Sequence, residues 1–204
     1  MKYFILNRNS MFVFLSCLFI LLNIQCSRQP QSNRIVPINL LKSESLLLQD
    51  VGISRHAAFR MELAKDIQWA DFWVDYYENG KYKEKQFSGG FSLKNRPRNS
   101  KLLLTQITSI PGFSDELWTL SITSQHRNSR NISLSKEEGF TEWKVSPEQT
   151  IVLNQAMAIF ILVRHPSSIE SLEDSVFESD PLAWDKLMKN RHVYVLRMQF
   201  KTEK

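Results

Sequence analysis

Cysteine is nearly absent from this sequence: it has two, Cys17 and Cys26, and both lie in the first 26 of its 204 residues. The rest of the chain therefore forms no internal disulfide bond, although about 160 residues can bury an ordinary core without one. The sequence also lacks a glycine-rich phosphate loop, a His-Glu-x-x-His zinc motif and a Cys–His pairing. It indicates no cofactor and no metal site, and it leaves open a secreted hydrolase whose catalytic residues are dispersed.

Excess charge is also small. Without the first 25 residues, which contribute two basic residues and no acid, 24 Lys and Arg stand against 21 Asp and Glu, a net charge of +3. That excess is too weak to indicate nucleic-acid binding. One stretch without an intervening acid forms a basic patch: Lys94, Arg96, Arg98 and Lys101. Such a patch suits anionic lipid headgroups or an anionic envelope polymer, and the simpler interpretation is a solvated basic loop.

The N-terminal segment has the layout of an export signal. Lys2 and Arg8 precede an apolar run over residues 12–24, and the polar stretch SRQPQSNR follows Cys26. The run of 13 residues fits the hydrophobic region of a secretory signal and falls short of the roughly 20 residues that span a bilayer. We predict a signal peptide over 1–25, a flexible tether over 26–45 and a folded domain over 46–204.

This order of basic start, apolar run, cysteine and polar tether resembles the signal of bacterial lipoproteins. The resemblance implies that the Cys26 sulfur carries a diacylglyceryl group and that the mature chain begins there, anchored to a membrane. The sequence departs from the family pattern just before Cys26, where Asn23 and Gln25 replace the preferred leucine and small residue. The alternative is an ordinary cleaved signal peptide, with Cys26 removed or left as a lone thiol.

Asn79-Gly80 between two aromatic-rich runs is a strong hairpin signal, because a type I′ turn needs positive φ at both positions. The predicted register pairs Tyr77 with Tyr82, Phe72 with Phe87 and Asp75 with Glu84. Apolar spacings of three and four residues over 57–77 also allow a helix. Strands are the preferred prediction, since the β-branched and aromatic content agrees with the turn, and Gly89-Gly90 is predicted to lie in a loop.

Short alternating runs with turns at regular intervals predict an all-β fold, a single β-sandwich of immunoglobulin-like shape with seven to nine strands. Asp180-Pro181 predicts one short helix over 181–189, with the aspartate as N-cap and proline at the first position. The layout also resembles small uncharacterised lipoproteins of Gram-positive spore formers. That resemblance rests on the signal, the WVDYYENGK hairpin and the closing HVYVLRMQF strand, and it implies no activity.

Alternate residues of the strand that precedes the Asn-Gly turn form a candidate ligand face: Trp69, Asp71, Trp73, Asp75 and Tyr77. Aromatic rings stack on the C–H faces of sugars, and carboxylates accept hydrogen bonds from their hydroxyl groups. The alternative is that this face lies in the core, because large aromatic side chains bury much area. Its carboxylates would then need partners, since an unpaired buried charge is costly.

We therefore expect a binding or structural module of the cell envelope, located outside the cytoplasm and held to the membrane by lipid on Cys26. Its expected partners are the membrane itself and an anionic envelope polymer or another envelope protein. Two alternatives remain. One is carbohydrate or wall-polymer binding through the candidate ligand face, and the other is the secreted hydrolase.

Overall fold

Strands dominate the structure, a computed structural model that describes residues 33–94, 99–107, 116–122, 126–132, 139–169 and 172–203. Within these ranges the chain forms eleven strands, two α-helices and one 3₁₀-helix. The strands are β1 (Arg34–Ile38), β2 (Arg55–Glu62), β3 (Trp69–Glu78), β4 (Lys81–Ser92), β5 (Asn99–Ile107), β6 (Glu116–Ile122), β7 (His126–Ile132), β8 (Phe140–Val145), β9 (Gln149–Thr150), β10 (Ala156–His165) and β11 (His192–Lys201). The helices are α1 (Lys42–Asp50), the 3₁₀-helix (Asp174–Glu178) and α2 (Pro181–Leu187).

The strands pair into two antiparallel sheets. Sheet A has the order β7-β6-β5-β2-β1-β9, and sheet B has the order β4-β3-β11-β10-β8. The chain changes sheet after β2, β4, β7, β8 and β9, so neither sheet forms from one continuous segment. Their inner faces share one hydrophobic core, in which Phe59 and Leu102 of sheet A join Phe72 and Leu196 of sheet B. The predicted all-β sandwich is confirmed.

The eleven strands exceed the predicted seven to nine, partly because β1 lies within the predicted tether. Pro37 lies inside β1, and proline usually argues against an inner strand. Here β1 pairs along its whole length with β2, whereas β9 reaches only Arg34 and Ile35 on the other side. Pro37 therefore lies beyond the end of β9. On that side of β1 no strand of the described chain is paired with it, so its missing N–H costs no hydrogen bond between strands.

The predicted tether boundary at residue 45 is corrected by the same strand and by α1. Ile35 is fully buried in the core, and Arg34 bonds through Nη1 to Glu148 Oε1 at 2.8 Å and also to Glu62. Residues 34–45 thus belong to the folded domain, which begins by Arg34. The rest of the predicted tether, the signal peptide and Cys26 lie outside the described residues.

The hairpin is confirmed, and the helix considered for 57–77 does not form. Asn79 and Gly80 have φ values of 49° and 73°, and Tyr77 faces Tyr82 as predicted. The other two predicted pairs are wrong: Phe72 faces Gly89 and Asp75 faces Lys85. Two irregularities shift the register by one residue each, so that Lys85 instead of Glu84 lies opposite Asp75 and the repulsive pair does not form.

The predicted helix near residue 181 is confirmed as α2. The Oδ1 of Asp180 accepts a hydrogen bond from the backbone N–H of Leu182 at 3.0 Å, and Pro181 occupies the first turn. With the 3₁₀-helix, α2 covers part of the outer face of sheet B through a second hydrophobic cluster. That cluster comprises Ala158, Ile161, Val163, Leu172, Val176, Phe177, Ala183, Leu187, Val193 and Val195. The outer face of sheet B is therefore divided into a covered part and an open part.

Candidate functional site

The candidate ligand face lies on the outside of the sandwich. On β3, Ala70, Phe72 and Val74 are buried in the core, whereas Trp69 and Trp73 on the opposite face are partly exposed. The alternative that the tryptophans fill the core is therefore excluded by the observed burial. Alternation along the strand predicted the sharing of a face, but it did not predict which face points outward.

The five residues of this face have different surroundings. Tyr77 packs against the second hydrophobic cluster under the 3₁₀-helix and α2, and Asp75 is 8 % exposed. Trp69, Asp71 and Trp73 lie farther along β3, on the part of sheet B that this cluster does not cover. We call these three residues the open face.

Trp69 is held against the neighbouring strand of the sheet. Its Nε1–H donates to Asp71 Oδ1 at 2.6 Å, and Asp71 Oδ2 accepts from Lys201 Nζ at 2.6 Å. The ring lies over Gly90 on the neighbouring strand β4, where a β-carbon would fall 2.6 Å from the ring atom Cζ2. The absence of a side chain at Gly90 and the bond to Asp71 thus fix the position of one indole ring on the surface of the sheet.

The ring of Trp73 is in contact with a lysine side chain. The Nζ of Lys85, on β4, lies 4.6 Å from the centroid of its ring, within the range of a cation–π contact. Asp75, the next residue on this side, bonds through Oδ2 to Arg197 Nε at 2.9 Å, and the Arg197 guanidinium lies 5.1 Å from the Trp184 ring. The nearly buried carboxylate is therefore paired, as its environment requires.

The open face therefore consists of two indole planes with charged groups between and beside them. Trp69 and Trp73 are four residues apart on one strand, which corresponds to about 13 Å. Asp71 lies between them, and Lys201 and Lys85 lie on the flanking strands. Such a surface can stack flat rings and can exchange hydrogen bonds with hydroxyl groups or ionic bonds with an anion.

The profile of the YgaN domain matches residues 34–200. The chain belongs to the YgaN domain family. The match begins at the first residue of β1 and ends within β11, so the YgaN domain contains both sheets and the open face. Comparisons with curated proteins and with solved structures give no match.

Only half of the predicted basic patch can be placed in this YgaN domain. Lys94 follows β4 and Lys101 lies in β5, and both side chains are exposed. Arg96 and Arg98 lie outside the described residues. The structure therefore locates two solvated cations of the patch, and it does not show the four side chains brought together.

The YgaN domain contains a buried ion cluster at one end, which the sequence analysis did not predict. Glu116 is 3 % exposed, and its Oε1 accepts from Arg164 Nη2 at 2.6 Å and from Arg55 Nη1 at 3.3 Å. Trp118 Nε1 contacts its other oxygen at 3.4 Å. Arg55 and Glu116 belong to sheet A and Arg164 belongs to sheet B, so this cluster ties the two sheets together. We call Arg55, Glu116 and Arg164 the interior ion cluster.

His192 lies at the same end of the YgaN domain, next to the interior ion cluster. His192 is buried on β11, directly opposite Arg164 on β10, and its Nδ1 lies 2.9 Å from the Tyr76 hydroxyl oxygen. The Tyr76 ring also stacks on Tyr194, with centroids 4.8 Å apart. These contacts join β3 to β11 inside the sandwich, where the side chains pack with the core.

The partly exposed His165 has a local role in the YgaN domain. Its Nδ1 accepts hydrogen bonds from the backbone N–H groups of Ser167 and Ser168, each at 3.3 Å. In the described part of the domain, no three His, Cys, Asp or Glu side chains are grouped so that they could bind a metal ion. Among the same residues, no helix has the length and apolar character needed to cross a membrane.

Proposed function

We propose that this YgaN domain is a binding module of the cell envelope that binds a carbohydrate or wall polymer through its open face. The observation that carries the proposal is the Trp69 indole, held against Gly90 by its bond to Asp71 on an uncovered part of sheet B. A ring held in this way loses little conformational entropy when a ligand stacks on it. The site is therefore prepared for a flat, partly apolar ligand before that ligand arrives.

A cation beside the ring retains bonding capacity. Lys201 has three donors and gives one to Asp71. Hydroxyl groups of a sugar stacked on Trp69 can therefore accept from Lys201 without breaking the bond to Asp71.

Spacing and charge favour a polymer that carries negative groups. The two indoles are about 13 Å apart along β3, which suits a ligand longer than one sugar ring. Asp71 and Asp75 are each paired with a cation, whereas Lys85 contacts only the Trp73 ring in the described structure. The surface thus has one cation more than it has carboxylates, and an anionic polymer would bind it better than a neutral one.

The proposal includes export of the protein and its anchoring to the membrane. Lipid on Cys26 would hold the module outside the cytoplasm, on the membrane surface. Because the folded domain begins by Arg34, about seven residues separate Arg34 from the lipidated cysteine, and even fully extended they reach only about 25 Å. The domain would therefore remain close to the membrane and would meet polymers that lie next to it.

Binding to isolated cell-wall polysaccharide tests the function, with dextran and dextran sulfate as neutral and anionic reference polymers. Trp69→Ala and Trp73→Ala should each weaken binding by about tenfold, which corresponds to 1.4 kcal/mol. Trp143→Ala is the matched control, because Trp143 is 40 % exposed on β8 and lies outside the open face. Equal binding by the wild type and the two open-face variants would falsify the proposed site.

A further inference from the structure

Helix α1 lacks the packing that a short helix needs. It has nine residues, none of them buried, and Leu46 and Leu47 are 49 % and 63 % exposed. An isolated helix shorter than about 12 to 15 residues is only marginally stable in water, so a helix of this length depends on apolar contacts. The described part of the chain provides few such contacts to α1.

A cavity of about 540 Å³ lies between α1 and the outer face of sheet A. It is lined by Leu47 and Leu48 of α1, by Ala58 and Leu103 of the sheet, and by Leu40, which precedes the helix. Its volume falls within the range of roughly 300 to 1,000 Å³ that is typical of small-molecule sites. We call it the leucine cavity.

One cation lies at the edge of the leucine cavity. Lys101 lines it, is exposed, and has no ion pair among the described residues. Its cross-strand neighbour Arg60 is bonded to Glu62 Oε1 at 3.0 Å. Glu44 also lines the cavity, but its Oε2 accepts from the backbone N–H of Leu41 at 2.8 Å and so caps α1. Lys101 is thus available to an anion.

The floor of the cavity does not suit a peptide strand. It lies on β2, β5 and β6, and β2 and β5 are each paired on both sides. A peptide that binds by strand addition needs a free sheet edge, which the centre of the floor does not offer. The walls present leucine side chains and few polar groups. An alkyl chain needs no hydrogen bonds and fits such walls.

We propose that the leucine cavity binds a single-chain anionic amphiphile, a fatty acid, with its alkyl chain between α1 and sheet A and its carboxylate at Lys101. The site is separate from the open face, because it lies on the other sheet. Burial of the alkyl chain of the fatty acid would supply the apolar contacts that α1 lacks. Phospholipids also combine alkyl chains with an anionic group, a phosphate in place of the carboxylate, so the test includes both sources.

Titration of the purified full chain with sodium octanoate, decanoate and dodecanoate, each below its micelle concentration, tests the proposal. Each pair of added methylene groups should tighten binding by about tenfold or more, since one CH₂ is worth about threefold to fourfold. Dodecanoate should also raise the melting temperature of the chain. Absence of binding by all three acids, with or without binding to phospholipid vesicles, would overturn the proposal.

Two variants test whether the fatty acid binds in the leucine cavity. Ala58→Phe fills the floor and should abolish dodecanoate binding, and Leu47→Glu places a charge on an exposed helix position that tolerates it without unfolding. Wild-type affinity in Leu47→Glu would contradict the proposed site, even if Ala58→Phe fails to fold. Trp69→Ala, on the other sheet, should bind dodecanoate as the wild type does, which separates this proposal from the proposed function.

Lys101→Gln tests the carboxylate contact. It should weaken dodecanoate binding by about fivefold or more and leave dodecanol binding unchanged, because only the acid carries a charge. Lys65→Gln is the matched control, since Lys65 is exposed and does not line the cavity. If Lys101→Gln and Lys65→Gln bind dodecanoate equally, the proposed contact is wrong.

Discussion

The indole of Trp69 occupies the space that a side chain at Gly90 would need, since a β-carbon there would lie 2.6 Å from Cζ2 of the ring. The same relationship exists on the inner face, where a β-carbon on Gly89 would lie 2.5 Å from Cζ of Phe72. Two adjacent glycines thus let β4 carry an aromatic ring against each of its faces. One ring belongs to the core and the other to the open face.

Gly90→Ala should displace the Trp69 ring and weaken polymer binding by about tenfold, although every group that contacts the ligand is still present. Overpacking of this kind typically costs about 1 to 3 kcal/mol of stability as well. Binding to cell-wall polysaccharide and urea unfolding measure the two effects. Ser88→Ala, two residues away on the same strand and opposite Trp73, should change neither. Full binding by Gly90→Ala would mean that the position of the Trp69 ring beside Gly90 is unimportant.

Burial decides how much each glutamate–arginine pair contributes to stability. In the interior ion cluster, Glu116→Gln would leave Arg55 and Arg164 without their carboxylate, and we expect a loss of about 3 to 5 kcal/mol. Glu148→Gln removes a partner from Arg34 where the glutamate side chain is 52 % exposed. That change should cost less than about 1 kcal/mol. The free energies of unfolding in urea should therefore differ clearly between the two variants, and similar losses would contradict this prediction.

Stability should also fall in acid, because several surface glutamates are paired with cations. The hydrogen bond from Arg34 holds the pKa of Glu62 below its ordinary value of 4.5, and Lys186 lowers the pKa of Glu173 in the same way. A lowered folded pKa means that the pair stabilises the fold above pH 4.5. The stabilisation is lost as the pH falls below that value through the folded pKa.

The urea midpoint of the wild type should therefore decrease between pH 5 and pH 3 more steeply than that of Glu62→Gln, which has no proton to gain at this position. Asp66→Asn is the control, because Asp66 is exposed and has no ion pair among the described residues. Its pH dependence should follow that of the wild type. Parallel curves for wild type and Glu62→Gln would show that this pair does not contribute.

Local signals in the sequence were sufficient for much of the fold. Asn79-Gly80 predicted the hairpin and its first cross-strand pair, and alternation along β3 predicted which residues share a face. The rest depends on contacts between distant segments. The two register shifts in the hairpin bring Lys85 opposite Asp75, and nothing in the spacing from the turn predicts them.

The missed features have the same cause. Residues 34–38 fall within the predicted tether, and their strand becomes visible only when β2 and β9 are placed beside it. The interior ion cluster joins residues that are 61 and 48 positions apart, so no local pattern identifies it. Gly89-Gly90 suggested a loop, but β4 continues through it because the rings of Phe72 and Trp69 fill the space above and below. Placement of each of these residues was decided by tertiary packing.

Cys26→Ser tests the proposed anchor. If the Cys26 sulfur carries a diacylglyceryl group, its replacement removes both of the acyl chains that would hold the protein on the membrane. The variant should therefore move from the membrane fraction to the soluble fraction of the cell envelope. Cys17→Ser is the control, because Cys17 lies inside the apolar run and should not affect anchoring. Membrane partitioning that is the same for both variants and the wild type would rule out lipid on Cys26.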